Sequence, residues 1–276
     1  MEIRINGQTA DITADAEKNV GEVIAGLNKW LDNSGHRLSG FALDGRNVSC
    51  EGSSMEEAFS RDISTVNILD IYTNSMAELA GMSLLQLRAD IDEYENLDYA
   101  ERREFYDRWK QSPQAVFAAE QIPDIFTLSS NAFQDGGINA RMLRAIIEER
   151  LREIENPAAE FESIKTLVSE TCARLVDLPL DIQTGKDGRA AQTIQAFSSV
   201  SEKIFRIFKL SNNYANESPV ANLIGKFNAS ARELSDAYER HDIVLVGDLA
   251  EYEMAPRLQE LYATIANINL QSEVAN

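Results

Sequence analysis

The sequence predicts an α+β protein: a sheet-and-helix module over residues 1–73, then an all-α, bundle-forming region over 74–276. Three observations carry that expectation. Short runs of alternating apolar and polar residues fill the first seventy positions, punctuated by Asn6-Gly7 and Asp44-Gly45, dipeptides that favour tight hairpin turns. One stretch inside them, beginning at Asn19, changes to helical spacing. Beyond Asn74 the two-residue rhythm disappears, and apolar side chains recur every three or four positions.

In order along the module, Ile3 and Ile5 alternate with polar neighbours up to Asn6-Gly7, and Ala10 with Ile12 form a returning strand. Val20, Val23, Ile24, Leu27, Trp30 and Leu31 then share one helical face, which Gly35 closes. Leu38, Phe41 and Leu43 rebuild a strand ending at Asp44-Gly45, with a short apolar step at Val48. Ser54 and Glu57 have the spacing of a capping box for a short helix holding Met55 and Phe59. A strand from Ser64 to Tyr72 ends the module. In this order of elements, and in the run Arg37-Leu38 through Phe41-Ala42-Leu43-Asp44-Gly45-Arg46-Asn47-Val48, the stretch resembles ubiquitin and other β-grasp proteins. The resemblance implies a ubiquitin-like β-grasp domain that presents a surface to another protein. It covers about a quarter of the chain, and Asn74-Ser75 stand where a conjugated modifier would carry its diglycine. A free-tailed modifier is therefore not expected.

The last strand is apolar on both faces, with Val66 and Ile68 on one and Leu69 and Ile71 on the other. Either it is central and covered by its own helix, or its outer face docks on the helices that follow.

Helix boundaries in the remainder follow from capping signals. Ser75 with Glu78 and Asp98 start two helices, the second carrying Phe105 and Trp109. Ser112-Pro113 starts another, Ile122-Pro123 breaks it, and Asp135-Gly136-Gly137 is a loop. A charged helix follows from Ile138 to Glu155, with Met142, Ile146 and Ile154 toward a core, and Asn156-Pro157 restarts the chain. Pro179 to Gly188 is expected as a flexible stretch and a possible subdivision. After it come a seam of Ile194, Phe197, Ser201, Ile204 and Phe208, a helix opening at Ser218-Pro219, and a helix from Asp242 to Asn269 kinked at Pro256.

Forty-five acidic against 26 basic residues give a formal charge of −19, spread over both parts. Such a field repels nucleic acid and anionic membranes, so neither is expected as a partner. A basic or amphipathic-helical protein fits better. No apolar run reaches bilayer length, and MEIRING has no basic stretch leading into one, so neither a membrane span nor a secretory signal is expected. Cys50 and Cys172 are the two cysteines and make no spaced pair, which points to a reducing, cytoplasmic setting.

No catalytic signature stands out, and no cofactor is expected. Asp90, Asp92, Asn96, Asp98 and Glu101 have calcium-loop spacing, but Glu95 stands where the sharp turn needs glycine, so a capped helix junction is the better reading. Gly185-Lys186-Asp187-Gly188-Arg189 lacks the remaining residues of a phosphate-binding loop and has no strand leading into it. His36 and His241, with the two cysteines, are too few for a zinc site. Asp248 and Glu251, beside Tyr252 and the Pro256 kink, are weak metal candidates; with Glu253, which points elsewhere, they read better as ordinary helix-surface carboxylates that can pair with Arg257. The expected function is a non-catalytic adaptor or chaperone-like interaction module. Its candidate partner contacts are Leu69, Ile71, Ile194, Phe197, Ile204 and Phe208, the last four also offering a homodimer seam. A metal-dependent or small-molecule enzyme using the acids near Tyr252, and a structural subunit of a larger assembly, are the alternatives.

Overall fold

The computed structural model describes residues 1–14, 16–49, 53–134, 139–211 and 219–274. Cys50, the Asp135-Gly136-Gly137 loop and Ser218 lie outside them. The fold is α+β, a five-stranded mixed sheet followed by a helical region. It divides into two compact units, Met1–Ile147 and Glu148–Asn276.

The first unit begins with β1 (Glu2–Ile5) and β2 (Gln8–Thr9). Asn6 and Gly7 join them with φ of 49° and 80°, the left-handed pair that a two-residue hairpin turn requires. Helix α1 (Val20–Asn33) is capped by Asn19, whose side chain accepts from the Glu22 N–H. Next come β3 (His36–Leu43), β4 (Arg46–Asn47), α2 (Ser53–Ser60) and β5 (Ile68–Ser75). Ser54 is thus in the first turn of α2 and not at its cap. The sheet order is β2-β1-β5-β3-β4, with β1 and β5 parallel and the other pairs antiparallel.

Period-two alternation turns Ile3, Phe41, Leu43, Leu69 and Ile71 toward α1, which meets them with Val20, Val23, Ile24, Leu27 and Leu31. Every one of these is 5% exposed or less. Each contributes roughly 1.5–3 kcal/mol by leaving water. Trp30 departs from the expected core face and is 52% exposed. On β5 the buried set is Leu69, Ile71 and Thr73, whereas Tyr72 on the opposite face is exposed. The strand is therefore central and covered by its own helix.

Ser75 ends β5 and simultaneously caps α3 (Met76–Glu95), in a capping box with Glu78. Helices α4 (Tyr99–Trp109), α5 (Pro113–Gln121) and α6 (Pro123–Gln134) follow. Tyr94, Phe105, Trp109, Phe126 and Phe133 are linked by ring contacts of 4.9–5.7 Å between centroids. The Tyr94 hydroxyl donates to the Phe133 carbonyl at 2.7 Å, so this buried phenol is satisfied. Helix α7 (Ala140–Glu155) buries Leu143, Ile147 and Leu151, one position away from the expected face; Met142 is exposed.

The second unit contains the rest of α7 with α8 (Pro157–Ser163), α9 (Lys165–Gln183), α10 (Asp187–Ser211) and α11 (Pro219–Glu239). It continues through α12 (Ile243–Asp248), a π-helical segment (Leu249–Met254) and α13 (Ala255–Val274). The expected flexible stretch at 179–188 is mostly helix. Pro179 sits inside α9, and Thr184-Gly185-Lys186 alone separates α9 from α10. The Pro179 ring packs on Gly247 so closely that a Cβ there would meet it at 3.1 Å. Pro256 cannot donate to Tyr252, and just before it the chain winds one residue wider, with the Ala255 N–H reaching back to the Ala250 carbonyl. The disturbance expected at Pro256 thus takes the form of a π segment.

Candidate functional site

The hydrophobic residues singled out in the sequence lie inside the chain's own cores. Leu69 and Ile71 are fully buried beneath α1. Phe197, Ile204 and Phe208 are buried in the second unit, and Ile194 packs partly buried against the same cluster. Phe197 contacts Phe227 at 5.7 Å between centroids, so the seam's partner is α11 of the same chain. None of the six presents an open face.

What the sheet does present is the surface opposite α1. Strand register brings Arg4 beside Asp70, Ala42 beside Asp70 on the other flank, and Gly40 beside Tyr72. Glu2 accepts from Arg4 Nε at 2.8 Å and from the Thr9 hydroxyl at 2.8 Å. Those two bonds, the Arg4 bond first, hold the Glu2 carboxyl below the usual carboxylate range. Because Gly40 has no side chain, the Tyr72 ring lies over the strand, 3.7 Å from where a Cβ would stand. Tyr72 is 39% exposed. The result is an aromatic and polar face on which Ala42 is covered, Tyr72 is exposed and Arg4 is held by Glu2. Sequence reasoning looked at the buried side of β5 and missed it; the available signal was the alternation itself, which sends Asp70 and Tyr72 outward.

The other candidates resolve as follows. Asp98 caps α4 by accepting from the Ala100 and Glu101 N–H groups, while Asp90 and Asp92 lie within α3, so the acidic run is a helix junction. Asp90 is buried among neutral donors, the Gln114 and Gln86 amides at 2.9 and 3.3 Å, and burial raises its pKa. Lys186 and Arg189 both pair with buried Asp181, at 3.5 and 3.2 Å, and so belong to the α9–α10 turn. Glu253 accepts from the Ser230 hydroxyl at 2.7 Å and, of the three acids, is the one whose pairing with Arg257 is seen, at 3.1 Å. Asp248 and Glu251 sit around the start of the π segment, and the neighbouring Glu251 carboxylate, with Asp248 behind it, raises the pKa of the exposed Tyr252 phenol. Among the described residues, no group of three or more His, Cys, Asp or Glu side chains could hold a metal ion.

One polar cluster was not legible in the sequence. Glu153, 1% exposed by side chain, accepts from Arg206 Nε and Nη2 at 2.6 and 2.7 Å. Lys203 stands 3.8 Å away and bonds Glu149 at 2.6 Å and Glu160 at 3.4 Å. Burial pushes the Glu153 carboxyl up to about 7, against the pull of Arg150 and Lys203. The cluster ties α7 and α8 to α10, and its charges answer one another. A cleft of about 350 Å³ between α9 and α10, lined by Arg174, Gln192, Gln195, Ala196 and Ser199, is wide open and gathers no reactive pair.

These surfaces define a protein with a small mixed-sheet module, a helical region, and no recognisable catalytic constellation among the described residues. Residues 1–75 match the family model of the TP0873 N-terminal domain, which ends at the last residue of β5. Residues 160–264 match a domain of unknown function, DUF8042, reaching from within α8 into α13. No curated protein and no solved structure matches the chain. Among the described residues, no helix is long and apolar enough to cross a membrane.

Proposed function

We propose that this chain is a non-catalytic protein–protein interaction module of adaptor or chaperone-like type, and that its first 75 residues form a ubiquitin-like β-grasp domain. Support for the β-grasp reading is the sheet order with a parallel central pair and one helix packed across a single face. The observation that carries the functional reading is the sheet face opposite α1, where the exposed Tyr72 lies over Gly40 and Arg4, held by Glu2, stands in register with Asp70. An exposed aromatic flanked by oriented charges is the composition of an interface core with its polar rim. Strand addition is the weaker mode, because the edge strands β2 and β4 are only two residues long. A cytoplasmic setting fits the buried free thiol of Cys172.

The test is affinity capture from native lysate with tagged full-length chain, beside an Arg4→Glu/Tyr72→Ala variant. A protein retained by the wild type, lost with the variant, and bound again when purified supports the reading. Equal retention by both chains, or nothing retained above the tag alone, overturns it.

A further inference from the structure

The second unit carries a surface with a different chemistry. Helix α9 runs antiparallel to the α12–α13 stretch, as two contacts establish. The Cys172 thiol donates to the Ala255 carbonyl at 3.4 Å, and seven residues further along α9 the Pro179 ring meets Gly247, eight residues earlier in the other run. This register fixes what flanks the seam between the helices. On α9, Val176 and Leu180 lie four residues apart on one face, adjoining Pro179. Across the seam, Ile243 and Val244 are one helical turn before Gly247, and Asp248 and Glu251 follow it. All four aliphatic side chains are open to solvent, from 43% for Ile243 to 75% for Val244.

Four large aliphatic residues exposed together, with acids on the same helix pair, are unusual on a chain with so much charge elsewhere. The α9 positions beside Val176 and Leu180 on this face, Ala173 and Gln183, are neither Lys nor Arg, and α12 with its π segment contains none. Of the basic residues flanking these segments in sequence, Lys186 and Arg189 are engaged by Asp181, Arg257 by Glu253, and Arg240 Nε donates to the Asp236 carbonyl. Apolar floor and an acidic wall with no ion pair to Lys or Arg among the described residues together specify the complementary partner. Such a partner is an amphipathic helix whose apolar stripe covers Val176, Leu180, Ile243 and Val244 and whose flanking Lys or Arg residues meet Asp248 and Glu251.

We infer that the α9–α12 seam is a docking groove for a basic amphipathic helix of a partner protein. The inference goes beyond the sheet-face reading and uses a separate surface in the second unit, so either can fail alone.

The test titrates full-length chain into a fluorescein-labelled 18-residue Leu/Lys peptide with an i, i+3, i+4, i+7 apolar stripe, read by anisotropy. Three further peptides serve as comparisons: a composition-matched scramble, a Leu/Glu version of the same pattern, and an unlabelled competitor. Saturable binding is expected for the basic amphipath, at least tenfold tighter than for the scramble and absent for the Leu/Glu version. Leu180→Asp/Val244→Asp should weaken it at least tenfold. Asp248→Asn/Glu251→Gln, which changes charge and hardly any volume, should weaken it about three- to tenfold and reduce its salt dependence. Tyr72→Ala should leave it unchanged. All these side chains except Glu251 are exposed, and a thermal melt within two degrees or so of wild type confirms folding. Equal affinity for the scramble (a polyanion effect), insensitivity to both groove variants, or loss with Tyr72→Ala would each overturn the inference.

Discussion

At the scale of single residues, Glu153 shows how far a side chain's properties depend on partners distant in sequence. Nothing local marks it: it is one of several acids in a helix of alternating charge, and ordinary patterning places it in water. Arg206 and Lys203, some fifty residues onward, make its burial tolerable by answering the carboxylate directly. Its folded pKa, about 7, lies above the ordinary 4.5. The folded unit therefore binds this proton more tightly than the unfolded chain does. The stabilisation from this group is complete below pH 4.5 and is lost as pH rises through 7. Carboxyl-labelled NMR of the full chain should show one Glu titrating near neutrality and absent in Glu153→Gln, and the variant's melting point should lose that part of its pH dependence. A Glu153 midpoint at or below 4.5 would show that the bidentate Arg206 pair outweighs desolvation. Legibility fails in the same way at Met142 and Leu143. Both begin a plausible stripe of four-residue spacing on α7, and only the neighbouring helices decide that Leu143, Ile147 and Leu151 turn inward.

Elements were more legible than residues, because their signals are local. Caps at Asn19, Ser75, Asp98 and Ser112 all start helices where the sequence places them. Asn6-Gly7 and Asp44-Gly45 make the expected positive-φ turns. Two of the failures share one cause, an element held by a distant contact. Pro179 reads as a helix breaker, yet the gap opposite Gly247 accommodates its ring, and α9 continues for another turn. The Ile194–Phe208 seam reads as a self-association surface, since spacing of three and four cannot tell a partner helix in the same chain from one in another. The Pro179–Gly247 contact yields a direct expectation. Gly247→Ala places a methyl 3.1 Å from the proline ring and should cost about 1–3 kcal/mol, measured by urea denaturation of the full chain. Gly225→Ala, with open space at its Cβ and a position inside α11, should be neutral or slightly stabilising in the same assay.

Over the whole molecule the governing quantity is charge. Many acids are matched within helices or across them, but a formal −19 leaves a large unbalanced field. Self-repulsion is relieved as the screening length falls from about 30 Å at 0.01 M salt to about 8 Å at 0.15 M. The melting temperature should therefore rise over that range, and a fall would mean that ion pairs such as those around Glu153 dominate the salt response. The broad architecture was readable from the change of rhythm near Asn74, and the meeting point itself has a mechanical consequence. Ser75 is at once the final rung of a strand and the bracket of the helix after it, leaving no slack between them. A protease would find no loose peptide there, and any inserted spacer would have to unmake a rung and a cap together. The leading module is geared to the helix behind it, so a tug or twist on one is delivered undamped to the other.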